Sequence, residues 1–244
     1  MRRSYRTLSA LLAALLCAAP ALAADSAAPT AAPIPTVLTA SAAQGGALHL
    51  DLSRDLAGFA PLLADYPQGE EAFYELDVSR QPIPIAGAGF GLCLTGNNHS
   101  DDLFLGACRL LEGLPPETPC VFTVTLRIAT NVDGGFVGIG GSPGSSVFFK
   151  CGITAAEPRR EVADGYYRLT LGKGNQGQDG PDMALIGNLE KDDAKAPGQY
   201  EWKTLTCRLS AAPDALGRAY LSFGIDSGFE GLSRYYVESV DVSW

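Results

Sequence analysis

The chain has 244 residues and a formal net charge of −9, with 27 acidic against 18 basic side chains and two histidines. That balance argues against nucleic acid and anionic membrane surfaces as partners, because both select for clustered lysine and arginine. The length suits one domain of the sandwich or barrel type, with a core of useful size.

The first residues read as a leader. Arg2, Arg3 and Arg6 precede an apolar run, Leu8–Ala19, and Ala21-Leu22-Ala23 has the small residues of a cleavage site. Residues 1–23 are therefore expected to be a secretory signal peptide, since the run is too short to span a bilayer. Cys17 falls in the removed run, and Leu16 stands where a lipid-attachment motif wants Gly or Ala. Removing 23 of 244 residues leaves 221, and removing the three arginines takes the charge from −9 to −12. No later stretch of 18 or more apolar residues exists, so no membrane insertion is expected after cleavage. The expected location is the bacterial periplasm or the medium. Residues 24–46, rich in Ala, Pro, Ser and Thr, read as a flexible tether. Residues 47–244 read as a single domain.

That domain is a series of short runs separated by Gly, Pro and Asn. Ala47–Leu52 alternates and predicts a first strand with His49 pointing outward. Ala57–Ala64 predicts a short helical turn, and Glu71–Val78 a strand closed by a turn at Arg80–Pro84. Gly91–Thr95 and Leu103–Leu111 predict strands on either side of a polar loop. Gly113–Thr118 is a turn. Cys120–Ala129 alternates clearly, as a half-buried strand does. Further strands are predicted at Phe136–Ile139, Ser146–Cys151, Tyr166–Leu171, Met183–Ile186, Tyr200–Leu209, Ala219–Ile225 and Tyr235–Trp244. The last of these puts Tyr236, Glu238, Val240, Val242 and Trp244 on one parity. Even spacing without a long amphipathic helix predicts an all-β, antiparallel β-sandwich.

Five cysteines remain after the leader: Cys93, Cys108, Cys120, Cys151 and Cys207. An oxidising compartment favours disulfides, at most two here, and the spacing does not fix their connectivity. Cys93 and Cys108 flank the polar loop almost symmetrically and could bridge across strands. The alternative is that these thiols are small buried hydrophobes. No C-x-x-C spacing supports a zinc or thioredoxin-type site.

The polar loop is Gly96-Asn97-Asn98-His99-Ser100-Asp101-Asp102. Its carboxylates, amides and hydroxyl are the oxygen donors that a hard cation such as calcium takes. His99 is a candidate general base or metal ligand. The same residue types also stabilise a tight turn through their own backbone, and that reading stays open. The Asn98-His99-Ser100 triplet is a glycosylation sequon, relevant only in a eukaryotic secretory pathway.

Asp226, Phe229 and Glu230 in Gly224–Gly231 form a second candidate. Together with Asp101 and Asp102 they could build a calcium cage or a carboxylate pair for glycoside cleavage, with Phe229 stacking on a sugar. A hairpin turn whose Phe229 plugs the core is the alternative. A third loop, Gly172–Gly180, offers Lys173, Asn175, Gln176 and Asp179 to sugar hydroxyls, although exposed loops have this composition anyway. Trp202 and Trp244, with Tyr166, Tyr167, Tyr200, Tyr235 and Tyr236, could form a stacking platform or belong to the core. Gly140-Gly141-Ser142-Pro143-Gly144 has the spacing of a nucleophile elbow. A strand follows it where the elbow needs a helix, and His99 precedes Ser142 in the chain.

Two stretches resemble jelly-roll sandwiches of the galactose-binding, carbohydrate-binding-module kind: Leu110–Val124 around its leucine–proline turn, and the closing strand Tyr235–Val242. In addition, Gly96–Phe104, Gly138–Ser146, Gly172–Gln176, Gly187-Asn188 and Gly224–Gly231 resemble a family of uncharacterised exported bacterial proteins. That resemblance implies an exported single-domain protein and assigns no functional residue.

The leading expectation is an exported, non-catalytic jelly-roll sandwich that binds a glycan or other cell-envelope component, with calcium as the cofactor its acids would take. The expected ligand-binding residues are Asn97, Asn98, His99, Asp101, Asp102, Lys173, Asn175, Gln176, Asp226, Phe229 and Glu230. The expected metal ligands are Asp101, Asp102, Asp226 and Glu230. The alternatives are a polysaccharide hydrolase or lyase using a carboxylate pair, and a structural envelope protein.

Overall fold

The computed structural model describes residues 45–100, 102–192 and 196–244. The expected signal peptide, residues 1–23, and residues 24–44 of the expected tether lie outside the described residues, as does Asp101. In chain order the strands are β1 (Ala47–Asp51), β2 (Ala60–Ala64), β3 (Tyr66–Pro67), β4 (Asp77–Pro82), β5 (Phe90–Asn97), β6 (Leu103–Leu111), β7 (Cys120–Thr130), β8 (Val147–Thr154), β9 (Arg160–Ala163), β10 (Tyr166–Leu169), β11 (Ala184–Asn188), β12 (Glu201–Ala211), β13 (Ala219–Ser227) and β14 (Leu232–Ser243).

They form an antiparallel sandwich. One sheet has the order β12-β7-β14-β5-β4, with β1 beside the second half of β14. The facing sheet has the order β11-β8-β13-β6-β2, and β3, β10 and β9 make a small third sheet. From β5 to β8, and again from β11 to β14, each successive strand crosses to the opposite sheet. That alternation is the jelly-roll topology. It also gathers the described residues of four connections at one end: 98–100 and 102, 131–146, 189–192 and 196–200, and 228–231. Backbone hydrogen bonds tie them together, from Asn98 N to Gly231 O (3.0 Å), Gly228 N to Ser146 O (3.0 Å), Glu230 N to Ile139 O (2.9 Å) and Lys191 N to Val132 O (2.9 Å).

Strand β7 shows why these residues make sheet. Phe122, Val124, Leu126 and Ile128 are buried on one parity, while Thr123, Thr125 and Arg127 point away from the core. The core takes matching rows from both sheets, including Leu103, Leu105, Phe149, Leu221, Phe223 and Ile225 opposite Leu92, Leu94, Tyr235, Val237 and Val240. Tyr235 is wholly buried, and its hydroxyl donates to Leu105 O (2.9 Å) in the other sheet. A buried phenol needs such a partner.

Several local expectations are corrected. Ala57–Ala64 is not a helical turn; its second half is β2, because Leu62 and Ala64 face one side of the sheet and Leu63 the other while β6 supplies the ladder. Glu71–Val78 is a turn rather than a strand through Glu75, whose φ is +50°, and the following strand runs on to Pro82. Phe136–Ile139 is an exposed loop, with Gly135 and Gly140 in the left-handed region, φ +81° and +70°. In β14 a register shift between Val237 and Ser239 breaks the expected parity. Tyr236 therefore packs on the outer face with Cys93, while Val240 and Val242 enter the core.

The Cys93–Cys108 bridge is also overturned. All five cysteines are free thiols. Cys93 packs on the outer face of the six-stranded sheet with Tyr236 and Ile83. Cys108 packs against the cluster on the outer face of the five-stranded sheet, so the sandwich lies between them.

Between β8 and β11 the chain leaves the sandwich and folds back over the five-stranded sheet. Leu171 and Met183 from this excursion pack on Leu62 and Ala64 of β2 and Phe104 of β6. The outer face of that sheet is therefore covered, whereas the outer face of the other sheet carries mainly polar and aromatic side chains.

Candidate functional site

The excursion seals a cluster of charges against the sheet. Lys150 on β8 and Asp226 on β13 both point away from the hydrophobic core, on adjacent strands paired with Gly224 opposite Lys150. Both side chains are 0% exposed. The Lys150 ammonium donates to Lys173 O (2.6 Å) and Gln178 O (2.8 Å) of the covering loop and lies 3.2 Å from Asp226 Oδ2. All three of its N–H groups are thereby engaged, which makes a buried ammonium tolerable. Burial pulls the Lys150 pKa down, against the opposing pull of Asp226.

Asp226 also accepts from Gln176 N (2.9 Å) and from the Lys173 ammonium (2.7 Å). Lys173 lies 3.1 Å from Asp65 Oδ2 and 3.4 Å from Asp102 Oδ1. Burial opposes its charge, but these three carboxylates outweigh burial and raise its pKa. Arg168 on β10 donates to Asp65 Oδ1 (2.7 Å) and lies 3.8 Å from Asp102 Oδ2. Asp102, with a third of its side chain exposed, has its pKa pushed up to about 6, first by burial and then by the charge of Asp65.

Asp65, Asp102 and Asp226 each bring a carboxylate oxygen within 4.8 Å of the others, a set that could hold a metal ion. The Lys173 ammonium lies among those same oxygens. Lys150, Lys173 and Arg168 already balance the three carboxylates charge for charge. The donor set therefore does not fit a divalent cation without displacing Lys173.

Of the loops singled out in the sequence, those of Asn98 and of Gly228–Gly231 meet at one end, while 172–180 lies over the outer face of the five-stranded sheet. Asn98 is buried and structural: its side chain donates to Ser227 O (2.9 Å) and Phe229 O (3.0 Å). Asp226 is sealed. Phe229 is half-buried against Gly138 and Gly231, so it is not a free stacking surface. Glu230 is outside the carboxylate cluster. Asn175 is exposed, and Gln176 contributes its backbone N–H to Asp226. Ser142 accepts from Gly144 N (3.2 Å) and Ser145 N (3.3 Å), and its turn leads into β8 rather than a helix.

Asp65, Lys150 and Arg168 were missed. Lys150 was visible in principle, as a lone cation inside the apolar run Phe148-Phe149-Lys150-Cys151-Gly152-Ile153. A charge there is expected only with a partner. Asp65 carried no such mark. It stands between β2 and β3 at φ +67°, and only the tertiary fold aims its carboxylate at Lys173 and Arg168.

Beside the sealed cluster lies an open aromatic rim. His99 is exposed and stacks on Phe73, with ring centroids 4.2 Å apart and planes at 25°. Phe73 is 58% exposed. Tyr74 packs edge-on beneath His99 (5.3 Å), and Asn97 Nδ2 donates to Glu75 Oε1 (2.9 Å) at the edge of the stack. The partly exposed Asp102 follows three residues after His99, and Arg168, 45% exposed, stands beyond it. Most of the other aromatics belong to packing: Tyr235 and Tyr236 are buried, and Trp244 packs on the core near Phe122.

No protein-family model matches the chain, and no curated protein matches it. Solved structures that align with this chain include the family 22 xylan-binding module of Paenibacillus barcinonensis Xyn10C, at 13% identity and TM-score 0.43, covering 83% of this chain and 96% of that one. The C-terminal family 22 module of Clostridium thermocellum Xyn10B aligns at 15% identity and TM-score 0.38, covering 80% and 91%. A family 6 module of a laminarinase from Zobellia galactanivorans aligns at 12% identity and TM-score 0.36, covering 82% and 100%. The sugars belong to those modules.

Proposed function

We propose that the protein is an exported, non-catalytic binding module for a glycan of the cell envelope or its surroundings, and that it binds at the rim built by Phe73, His99, Asn97, Asp102 and Arg168. The observation that carries this reading is the exposed Phe73–His99 stack, three residues before the partly exposed Asp102 that Arg168 approaches. An aromatic face meets the apolar face of a sugar ring, while a carboxylate and a guanidinium take its hydroxyls.

The burial of Asp226 supports a non-catalytic role. Glycoside cleavage by two carboxyl groups needs both to reach the scissile bond. Asp226 is closed off beneath the 172–180 loop and held by Lys150, Lys173 and Gln176 N. Calcium enters this reading only in competition with Lys173. Millimolar calcium is expected to leave the melting temperature unchanged, and a chelator-reversible rise would restore calcium to the site.

The test is affinity electrophoresis and calorimetry against a panel of xylans, β-glucans, galactans and peptidoglycan fragments. Binding to at least one polymer is expected, without product release. Phe73→Ala should weaken that binding about tenfold or more, the loss of one stacking contact, with an unchanged melting temperature. No binding across the panel, or binding indifferent to Phe73→Ala, would sink the proposal.

A further inference from the structure

Two of the five thiols face each other across the interior. On β8, the inward parity is Val147, Phe149, Cys151 and Ile153. On β12 it is Lys203, Leu205, Cys207 and Leu209, while Thr204, Thr206 and Arg208 point outward and are exposed. These strands belong to opposite sheets, and at their seam the backbones come within 8 Å, Cα to Cα. Cys151 is wholly buried and Cys207 half-buried, and both belong to the same hydrophobic cluster. Their neighbours on either side meet across the same seam: Leu205 lies against Gly187, which pairs with Phe149, and Leu209 lines one cavity with Ile153, so Cys207 stands between them at the level of Cys151. The remaining thiols are placed differently: Cys93 and Cys108 lie on opposite outer faces, and Cys120 begins β7 across from Ala211, four residues along β12 from Cys207.

We propose that Cys151 and Cys207 are an oxidisable pair that forms a disulfide between the two sheets, stapling β8 to β12 after export. The pair has the arrangement such a bond draws on: two inward side chains at one level of facing strands whose backbones approach at the seam.

The chemistry is thiol–disulfide exchange, with a small-molecule disulfide or the disulfide of an oxidoreductase as oxidant. Cys207, the more accessible thiol, loses its proton and attacks one sulfur of R–S–S–R′. This forms a Cys207–S–S–R mixed disulfide and releases R′S⁻. Cys151 then gives up its proton, and its sulfur attacks Cys207 Sγ and displaces RS⁻. Two protein thiols are oxidised, one external disulfide is reduced to two thiols, and the two protons go to the departing thiolates. Accessibility favours that order, because Cys207 is half-buried and can meet an external disulfide, whereas Cys151 is wholly buried.

The staple would span the chain segment that carries the whole covering excursion, including Lys173 and Arg168. It would therefore restrain, in the unfolded chain, the segment that seals the charge cluster.

The test uses the exported form purified with reductant and equilibrated with mixtures of oxidised and reduced glutathione. Non-reducing peptide mapping should find the peptides of Cys151 and Cys207 joined. The intact mass should fall by about 2 mass units, and the thiols titrated in denaturant should drop by two. The melting temperature should rise on the order of 5–10 °C on oxidation. A Cys207→Ser variant should lose the redox dependence of melting. If that variant does not fold, mapping and thiol counting on the unaltered chain still decide. Five reduced thiols in excess oxidised glutathione, or bridges to Cys93, Cys108 or Cys120 instead, would overturn the proposal.

Discussion

The two outer faces of the sandwich carry similar charges and put them to different uses. On the five-stranded sheet, Lys150 and Asp226 are shut under the 172–180 loop and share every hydrogen-bonding atom with it. On the six-stranded sheet, Arg127 stacks on Trp202 (3.9 Å), pairs with Glu238, and remains in water, as do His49 and Asp241. In the first case a charge holds a segment of chain in place. In the second the surroundings would hardly change without it. Depth, not residue type, decides which role an ion pair has.

The largest effect expected from this contrast follows removal of Asp226. Asp226→Ala leaves Lys150 buried with no counter-ion and frees one side of Lys173. A loss of about 3–5 kcal/mol is expected in urea unfolding, the cost of an uncompensated buried charge. Lys150→Met should cost less, because Asp226 keeps Lys173 and Gln176 N. The pair of changes Lys150→Met with Asp226→Leu should recover much of the loss in Asp226→Ala. If Asp226→Ala costs no more than a surface pair, the face is not sealed in solution.

The contrast also explains what could be read in advance. The strands of the jelly roll were legible because period-two alternation survives wherever one face of a strand meets the core, as in β7. Strand β14 misled because one residue of bulge at its centre reverses the parity, and no local residue type announces that shift. The polar loops were legible as loops, but their meeting was not, since no local pattern places Asn98 beside Phe229 and Gly231. The partners were not legible. Asp65 lies 37 positions before Asp102 and 161 before Asp226, and only the sheet order β8-β13-β6-β2 brings the three together. The covering role of 172–180 was hidden as well, because Gly, Asn and Gln suit an exposed loop and a cover equally.

A smaller effect is expected at the boundary between the sealed and open regions. Asp102 is partly exposed, and its pKa stands at about 6 in the fold against an ordinary 3.8. The folded state therefore holds the proton more tightly than the unfolded chain does. The contribution to stability is fully present below pH 3.8 and is lost as pH rises through about 6. Asp102→Asn keeps the neutral form at every pH. It should raise stability at pH 7 by on the order of 1 kcal/mol, after allowance for solvent screening. The gain should vanish towards pH 4. A variant less stable than the parent at pH 7 would mean that Asp102 acts chiefly as a partner of Lys173 and Arg168.

The smallest effect belongs to the open face. His49 Nδ1 lies 2.6 Å from Asp241 Oδ1, with both side chains more than half exposed. The hydrogen bond to Asp241, and then its charge, raise the His49 pKa above 6.5. A raised histidine stabilises the fold most below pH 6.5, and the contribution is lost as pH rises through the folded value. Solvent and salt screen such a pair to less than about 1 kcal/mol. Asp241→Asn should therefore lower the melting temperature by no more than about 2 °C at pH 5.5 in dilute buffer, and by nothing measurable at pH 8 or in 1 M salt. A loss at pH 5.5 as large as that of Asp226→Ala would break the contrast, because it would make a water-exposed pair hold the sandwich as firmly as the sealed one.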